Sequence, residues 1–76
     1  MPNSLSDPRY RRIIDRLRDA RIEAGFTQAF LAEKLGRPQS FVAKVEGYER
    51  RLDLLEFVQI AEAIGVNRSK ILADVE

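Results

Sequence analysis

The first third of the chain carries apolar residues at three- and four-residue intervals, the spacing of one face of a helix. Asp7 and Pro8 supply an N-cap followed by proline at the first helical position. Gly25 supplies a left-handed C-terminal cap. We therefore predict a first helix that begins after Asp7 and ends before Gly25. Its inward positions are Tyr10, Ile13, Ile14, Leu17, Ala20, Arg21 and Ala24.

Two short helices are predicted next. The hydroxyl of Thr27 can cap a second helix, which Gly36 closes after about eight residues. A third helix extends roughly from Gln39 to Glu46, and Gly47 stops it. Two short helices joined by a tight turn that contains glycine are typical of a helix-turn-helix. The apolar positions of these helices are Phe30, Leu31 and Leu35, then Val42 and Val45.

The last third of the chain predicts two more helices. Asp53 can cap the fourth, which Gly65 ends, and Asn67 can cap a short fifth. No stretch shows sustained period-two alternation, so we expect an all-α fold of five helices. The predicted inward residues are Leu54, Phe57, Val58, Ala61 and Ile64, followed by Ile71, Leu72 and Val75.

Composition narrows the chemistry. A chain of 76 residues makes one domain, here 1–76, with 1–6 expected as a flexible N-terminal arm. The sequence has no cysteine and no histidine, so we expect neither a metal nor another cofactor. The remaining titratable residues do not cluster in a catalytic pattern, and we do not expect an enzyme. Because no apolar run is long enough for a membrane span or a signal peptide, we expect a cytoplasmic protein.

Charge is distributed unevenly along the chain. Residues 1–51 hold 11 Lys and Arg against 7 Asp and Glu, a net +4. Residues 52–76 hold 2 against 5, a net −3. Such a basic front and acidic back would orient the domain on a polyanion. The alternative is a set of solvated helix faces with scattered salt bridges.

The segment from Thr27 to Glu46, TQAFLAEKLGRPQSFVAKVE, resembles the Cro and phage C-repressor family, also called the xenobiotic-response-element family. The matching positions are Thr27, Gln28, Leu31, Ala32, Leu35, Gly36, Val42, Val45 and Glu46. A second match is IAEAIGV at 60–66, and the resemblance covers about residues 12–74. It implies a lambda-repressor-like fold, with the helix-turn-helix at helices 2 and 3, that binds double-stranded DNA.

Three polar residues lie on the outward side of the third helix. Gln39 and Ser40 are at its N-terminal end, and Lys44 is one turn further. A recognition helix presents such residues to base edges, where glutamine reads adenine and lysine reads guanine. By the family pattern, these three would contact bases. The alternatives are helix capping by Gln39 and Ser40 and a solvated lysine. Phe41 departs from the family's small polar residue, and we expect it to pack rather than to contact a thymine methyl group.

The flanking loops and the second helix offer phosphate ligands. Gln28 lies at a helix N-terminus, where free N–H groups favour an anion, and the family uses this residue on the DNA backbone. Basic and aromatic side chains in the two loops can hold phosphates and set the register, or else are merely solvated. These loop candidates are Arg37, Tyr48, Arg50 and Arg51.

The resemblance also implies a buried salt bridge between Arg21 and Glu46, which would orient the recognition helix. Five further apolar residues either complete the core or form a two-fold interface between two copies of the chain. These are Leu52 and Leu55, with Ile71, Leu72 and Val75. We expect a dimeric repressor or autoregulator, of bacterial or phage origin, on a near-palindromic operator. The alternative is an antitoxin or protein-interaction module on the same fold, with a protein partner such as a toxin.

Overall fold

The computed structural model describes residues 4–75, apart from the side chains of Ser4 and Asp74. In this part of the chain the elements are α1 (Pro8–Glu23), α2 (Gln28–Leu35), α3 (Gln39–Glu46), α4 (Leu54–Ile64) and α5 (Arg68–Leu72). Two 3-10 turns flank them, Ser4–Ser6 and Ala73–Val75. The predicted all-α architecture of five helices is confirmed.

Side-chain caps begin four of the helices where the sequence predicts them. The Asp7 carboxylate accepts the Arg9 N–H at 2.8 Å, and the Thr27 hydroxyl accepts the Phe30 N–H at 3.0 Å. Asn67 caps α5 in the same way. At α4, the Asp53 carboxylate accepts the Glu56 N–H, and the Glu56 carboxylate accepts the Asp53 N–H. This reciprocal arrangement is a capping box.

The turn between α2 and α3 depends on small residues. Gly36 has φ +66°, in the left-handed region that favours glycine. Its position allows the Arg37 N–H to donate to the Ala32 carbonyl at 3.0 Å. Ala32 itself is buried in the core, where a larger side chain would push the helices apart. The other buried core residues are Ile14, Leu17, Leu31, Phe41, Val42, Val45, Phe57, Ile60 and Ile71.

Leu54 and Phe30 were both predicted on apolar helix sides but are exposed, Phe30 to 45%. Leu54 is 82% exposed, because it stands in the first turn of α4, outside the core that Phe57 and Ile60 enter. Ile71 is only 4% exposed. Its assignment to a dimer interface is therefore wrong, since a side chain buried in its own chain has no surface for a partner. Leu55 is exposed, as the interface assignment requires.

The N-terminal arm expected over residues 1–6 is only partly within the described residues. Ser4–Ser6 form a 3-10 turn. The Leu5 carbonyl in this turn accepts a hydrogen bond from Nε of Arg11 at 2.7 Å. This bond ties the turn back to α1.

Candidate nucleic-acid interface

The third helix has one buried side and one exposed side. Its inward residues pack in the core, while Gln39, Ser40 and Lys44 are exposed. The N-cap position belongs to Pro38, which makes no side-chain cap hydrogen bond. Gln39 and Ser40 are thus the first two residues of the helix and not its caps. The side chains predicted to contact bases stand together on one exposed surface.

The C-terminal end of α3 is held by a buried ion pair. Nε of Arg21 donates to Oε2 of Glu46 at 2.7 Å, and Nη2 of Arg21 donates to Oε1 at 2.9 Å. The two side chains are only 10% and 9% exposed. Nη1 of Arg21 also donates to the Phe26 carbonyl at 2.7 Å. The guanidinium on α1 therefore fixes both α3 and the start of α2.

Gln28 completes this cluster. Its side-chain Nε2 donates to Oε1 of Glu46 at 3.0 Å. Gln28 was expected to contact a phosphate. The structure places its amide on the carboxylate of α3 instead. We call Arg21, Glu46 and Gln28 the Glu46 cluster.

A second cluster lies at the other end of α3. Nη1 and Nη2 of Arg50 donate to the two carboxylate oxygens of Glu56 at 2.8 and 2.9 Å. Nη2 of Arg37 donates to Oε2 of the same carboxylate at 3.0 Å. Both guanidiniums also lie against the ring of Phe41. The distance from Cζ to the ring centre is 4.4 Å for Arg37 and 4.7 Å for Arg50. These four residues form the Glu56 cluster.

In the Glu56 cluster, both the carboxylate of Glu56 and the guanidinium of Arg50 are stabilised in their charged forms. Hydrogen bonds from Arg50 lower the pKa of Glu56 to about 2, although burial acts in the opposite direction. The same bonds raise the pKa of Arg50. Glu56 was not among the site residues predicted from the sequence. The available signal was its spacing from Asp53, since acidic residues three positions apart at a helix start predict a capping box.

Tyr48 and Arg51 lie in the loop after α3 but have different surroundings. Tyr48 has φ +61° and is half-buried. Its hydroxyl donates to Asp15 on α1, which raises the pKa of the phenol, and the Arg11 guanidinium lies 4.4 Å from its ring centre. Arg51 is exposed. Of the expected phosphate ligands, the fold brings Arg37 and Arg50 together and turns the Tyr48 hydroxyl toward α1.

Within residues 4–75, no helix has the length and apolar character needed to cross a membrane. The described part of the chain also contains no group of three or more side chains suited to hold a metal ion.

Two short helices, a glycine turn and an exposed polar face on the second helix define a helix-turn-helix protein. Residues 17–71 match the family described as helix-turn-helix. The chain is similar to a solved structure of an XRE-family like protein from Pseudomonas syringae pv. tomato str. DC3000. The two share 48% sequence identity and superpose with a TM-score of 0.82. The match covers 88% of this chain and 82% of that one. None of the curated proteins matches the chain.

The chain belongs to the xenobiotic-response-element family of helix-turn-helix proteins. It is therefore a DNA-binding transcription regulator.

Proposed function

We propose that this protein binds a specific double-stranded operator as a homodimer and acts as a repressor or autoregulator. The observation that carries the proposal is three exposed polar side chains, Gln39, Ser40 and Lys44, on a helix that ion pairs hold in place near both ends. This matters because base readout requires side chains to be held in a fixed register on the duplex.

The three exposed residues have separate roles in this proposal. Gln39 donates to N7 and accepts from N6 of an adenine, the bidentate contact that an amide makes in the major groove. Ser40 contacts either kind of base. Lys44 donates to O6 and N7 of a guanine. The N-terminal position of Gln39 and Ser40 supports this assignment, because that end of a recognition helix contacts the bases.

Phosphate contacts fix the register. Arg51 is exposed, so a phosphate can reach its side chain. Arg37 and Arg50 remain candidates, although each also serves Glu56. Gln28 contributes through the free N–H groups at the start of α2. Tyr48 is a further candidate in the loop after α3, once its hydroxyl leaves Asp15.

Dimerisation would use α4 and the C-terminal segment. Leu54 and Leu55 are exposed at the start of α4, and Leu72 and Val75 are half-buried. Pairing of two copies through these residues would place two recognition helices in successive major grooves, about 34 Å apart. The operator would then be a near-palindrome.

Selection of bound sequences from a random duplex pool tests the proposal. We expect an enriched two-fold motif whose half-sites are separated by about 10 base pairs. An enriched motif without two-fold symmetry would refute the dimer. The absence of any enrichment by the folded protein would refute sequence-specific binding and favour a protein-interaction module.

Gln39→Ala tests the assignment of the base contacts. We expect it to cost about 1–3 kcal/mol of operator binding and to relax the preference at one base of each half-site. Gln59→Ala is the matched control, because Gln59 is an exposed glutamine on α4. A Gln39→Ala protein that keeps the wild-type preference at every position would refute the assignment.

A further inference from the structure

The Glu56 cluster joins three separate parts of the chain around one carboxylate. Arg37 precedes α3, Arg50 follows it, and Glu56 belongs to α4. Three hydrogen bonds of 2.8–3.0 Å connect the carboxylate to the two guanidiniums. Both guanidiniums also contact Phe41, which is buried in α3. The two arginines that flank the recognition helix thus share one buried carboxylate.

Glu56 and its two arginines differ in their access to solvent. The Glu56 side chain is 8% exposed and is held by the Asp53 N–H as well as by the arginines. The side chains of Arg37 and Arg50 are 38% and 40% exposed. A phosphate oxygen can therefore reach the guanidiniums, whereas the carboxylate cannot leave them. Glu56 thus engages N–H donors of Arg37 and Arg50 that could otherwise bind a phosphate.

We propose that Glu56 is a positioning residue that competes with DNA phosphates for Arg37 and Arg50, and thereby suppresses binding to non-specific DNA. The inference deepens the proposed function and rests on it. On the operator, base contacts select one site on the duplex, where the phosphates meet the arginines as Glu56 and Phe41 hold them. On other sequences the arginines must leave Glu56 to follow the phosphates. The competition therefore weakens non-specific binding more than operator binding.

Glu56→Gln separates this role from a structural one. Glutamine also serves at the third position of a capping box, so α4 keeps its cap while the competing charge is lost. Glu62→Gln is the matched control, because it removes one exposed carboxylate from the same helix and changes the net charge equally. Fluorescence anisotropy on the selected operator and on a duplex lacking it would give Kd at several salt concentrations. Thermal unfolding followed by circular dichroism verifies the fold of each variant.

We expect Glu56→Gln to bind the non-specific duplex about two- to fivefold more tightly than Glu62→Gln does. Its plot of log Kd against log salt should be steeper by up to about one unit, as expected for one more neutralised phosphate. Operator affinity should change less, so the ratio of specific to non-specific affinity falls. Adding Arg50→Gln to Glu56→Gln should return the non-specific Kd toward the wild-type value.

Two results would overturn the inference. In one, Glu56→Gln and Glu62→Gln bind the non-specific duplex alike. In the other, Glu56→Gln weakens binding to both duplexes in proportion, as a structural role predicts. A wild-type protein that binds neither duplex would instead refute the proposed function itself.

A second pair of variants tests the inference by removing Arg50 with and without Glu56. If Glu56 already neutralises Arg50, then Arg50→Gln should lower the salt dependence of non-specific binding less in the wild-type background than in the Glu56→Gln background. Equal losses in the two backgrounds would show that Glu56 does not withhold Arg50 from phosphate.

Discussion

The two ends of the recognition helix are both fixed by arginine and glutamate, but in different ways. At the C-terminal end, Glu46 pairs with one arginine, and both side chains are about nine-tenths buried. At the N-terminal end, Glu56 is shared by two arginines whose side chains remain near 40% exposed. The first arrangement balances its charges within the fold, whereas the second leaves one positive charge in excess at the surface.

This difference separates a structural cluster from one that can respond to a ligand. A buried charge cannot lose its partner without a large cost, because water does not replace the partner. A partly exposed guanidinium can exchange a carboxylate for a phosphate at a lower cost, because the phosphate and water replace the lost partner. We infer that the Glu46 cluster sets the orientation of α3, and that the Glu56 cluster sets how strongly the flanking arginines attract DNA.

The sharpest way to break this comparison is Arg21→Ala. The substitution leaves the Glu46 carboxylate buried without its cation, and we expect it to lower the free energy of unfolding by about 3–5 kcal/mol. Urea denaturation followed by circular dichroism measures the loss. Arg18→Ala on the same helix is the control, because Arg18 is exposed and pairs with an exposed carboxylate, that of Asp19, at 3.7 Å. A loss below about 1 kcal/mol for Arg21→Ala would place the Glu46 pair among ordinary surface pairs.

Acid unfolding tests the Glu56 cluster. The pKa of Glu56 is lowered to about 2 by Arg50, so the charged form stabilises the fold. That contribution is fully present above the ordinary glutamate pKa and is lost as the pH falls toward 2. We expect the wild type to lose roughly 2 kcal/mol more stability than Glu56→Gln between about pH 5 and pH 2.

Chemical denaturation at several pH values in that range provides the measurement. Asp7, whose pKa is also lowered to about 2 by Arg9, contributes equally to both proteins and cancels in the difference. Parallel stability curves for the wild type and Glu56→Gln would contradict a charge-dependent role of Glu56.

The sequence predicted the parts of the fold that depend on local interactions. The starts of α1, α2 and α4 follow from Asp7, Thr27 and Asp53, because a cap acts within three residues of its own position. Gly36 predicted the turn for the same reason. The exposed row on α3 followed from helical periodicity.

Contacts between distant elements were not predictable in this way. Arg37 and Glu56 are 19 positions apart, and nothing local indicates that they meet. The left-handed backbone of Tyr48 turns its hydroxyl to Asp15, 33 positions earlier. Leu54 and Ile71 are both apolar, so the hydrophobic pattern treats them alike. The packing of α4 and α5 on α1 decides which of them is buried.

Gln28→Ala tests how far the Glu46 cluster extends. Its amide donates to a buried carboxylate, so its loss should lower the free energy of unfolding by about 1 kcal/mol. Gln39→Ala is a matched control for stability, because Gln39 is also the first residue of its helix but is exposed. That control should change stability by less than about 0.5 kcal/mol. If the two substitutions have equal effects on urea denaturation, the Gln28 amide does not hold Glu46 in solution and is available to a phosphate.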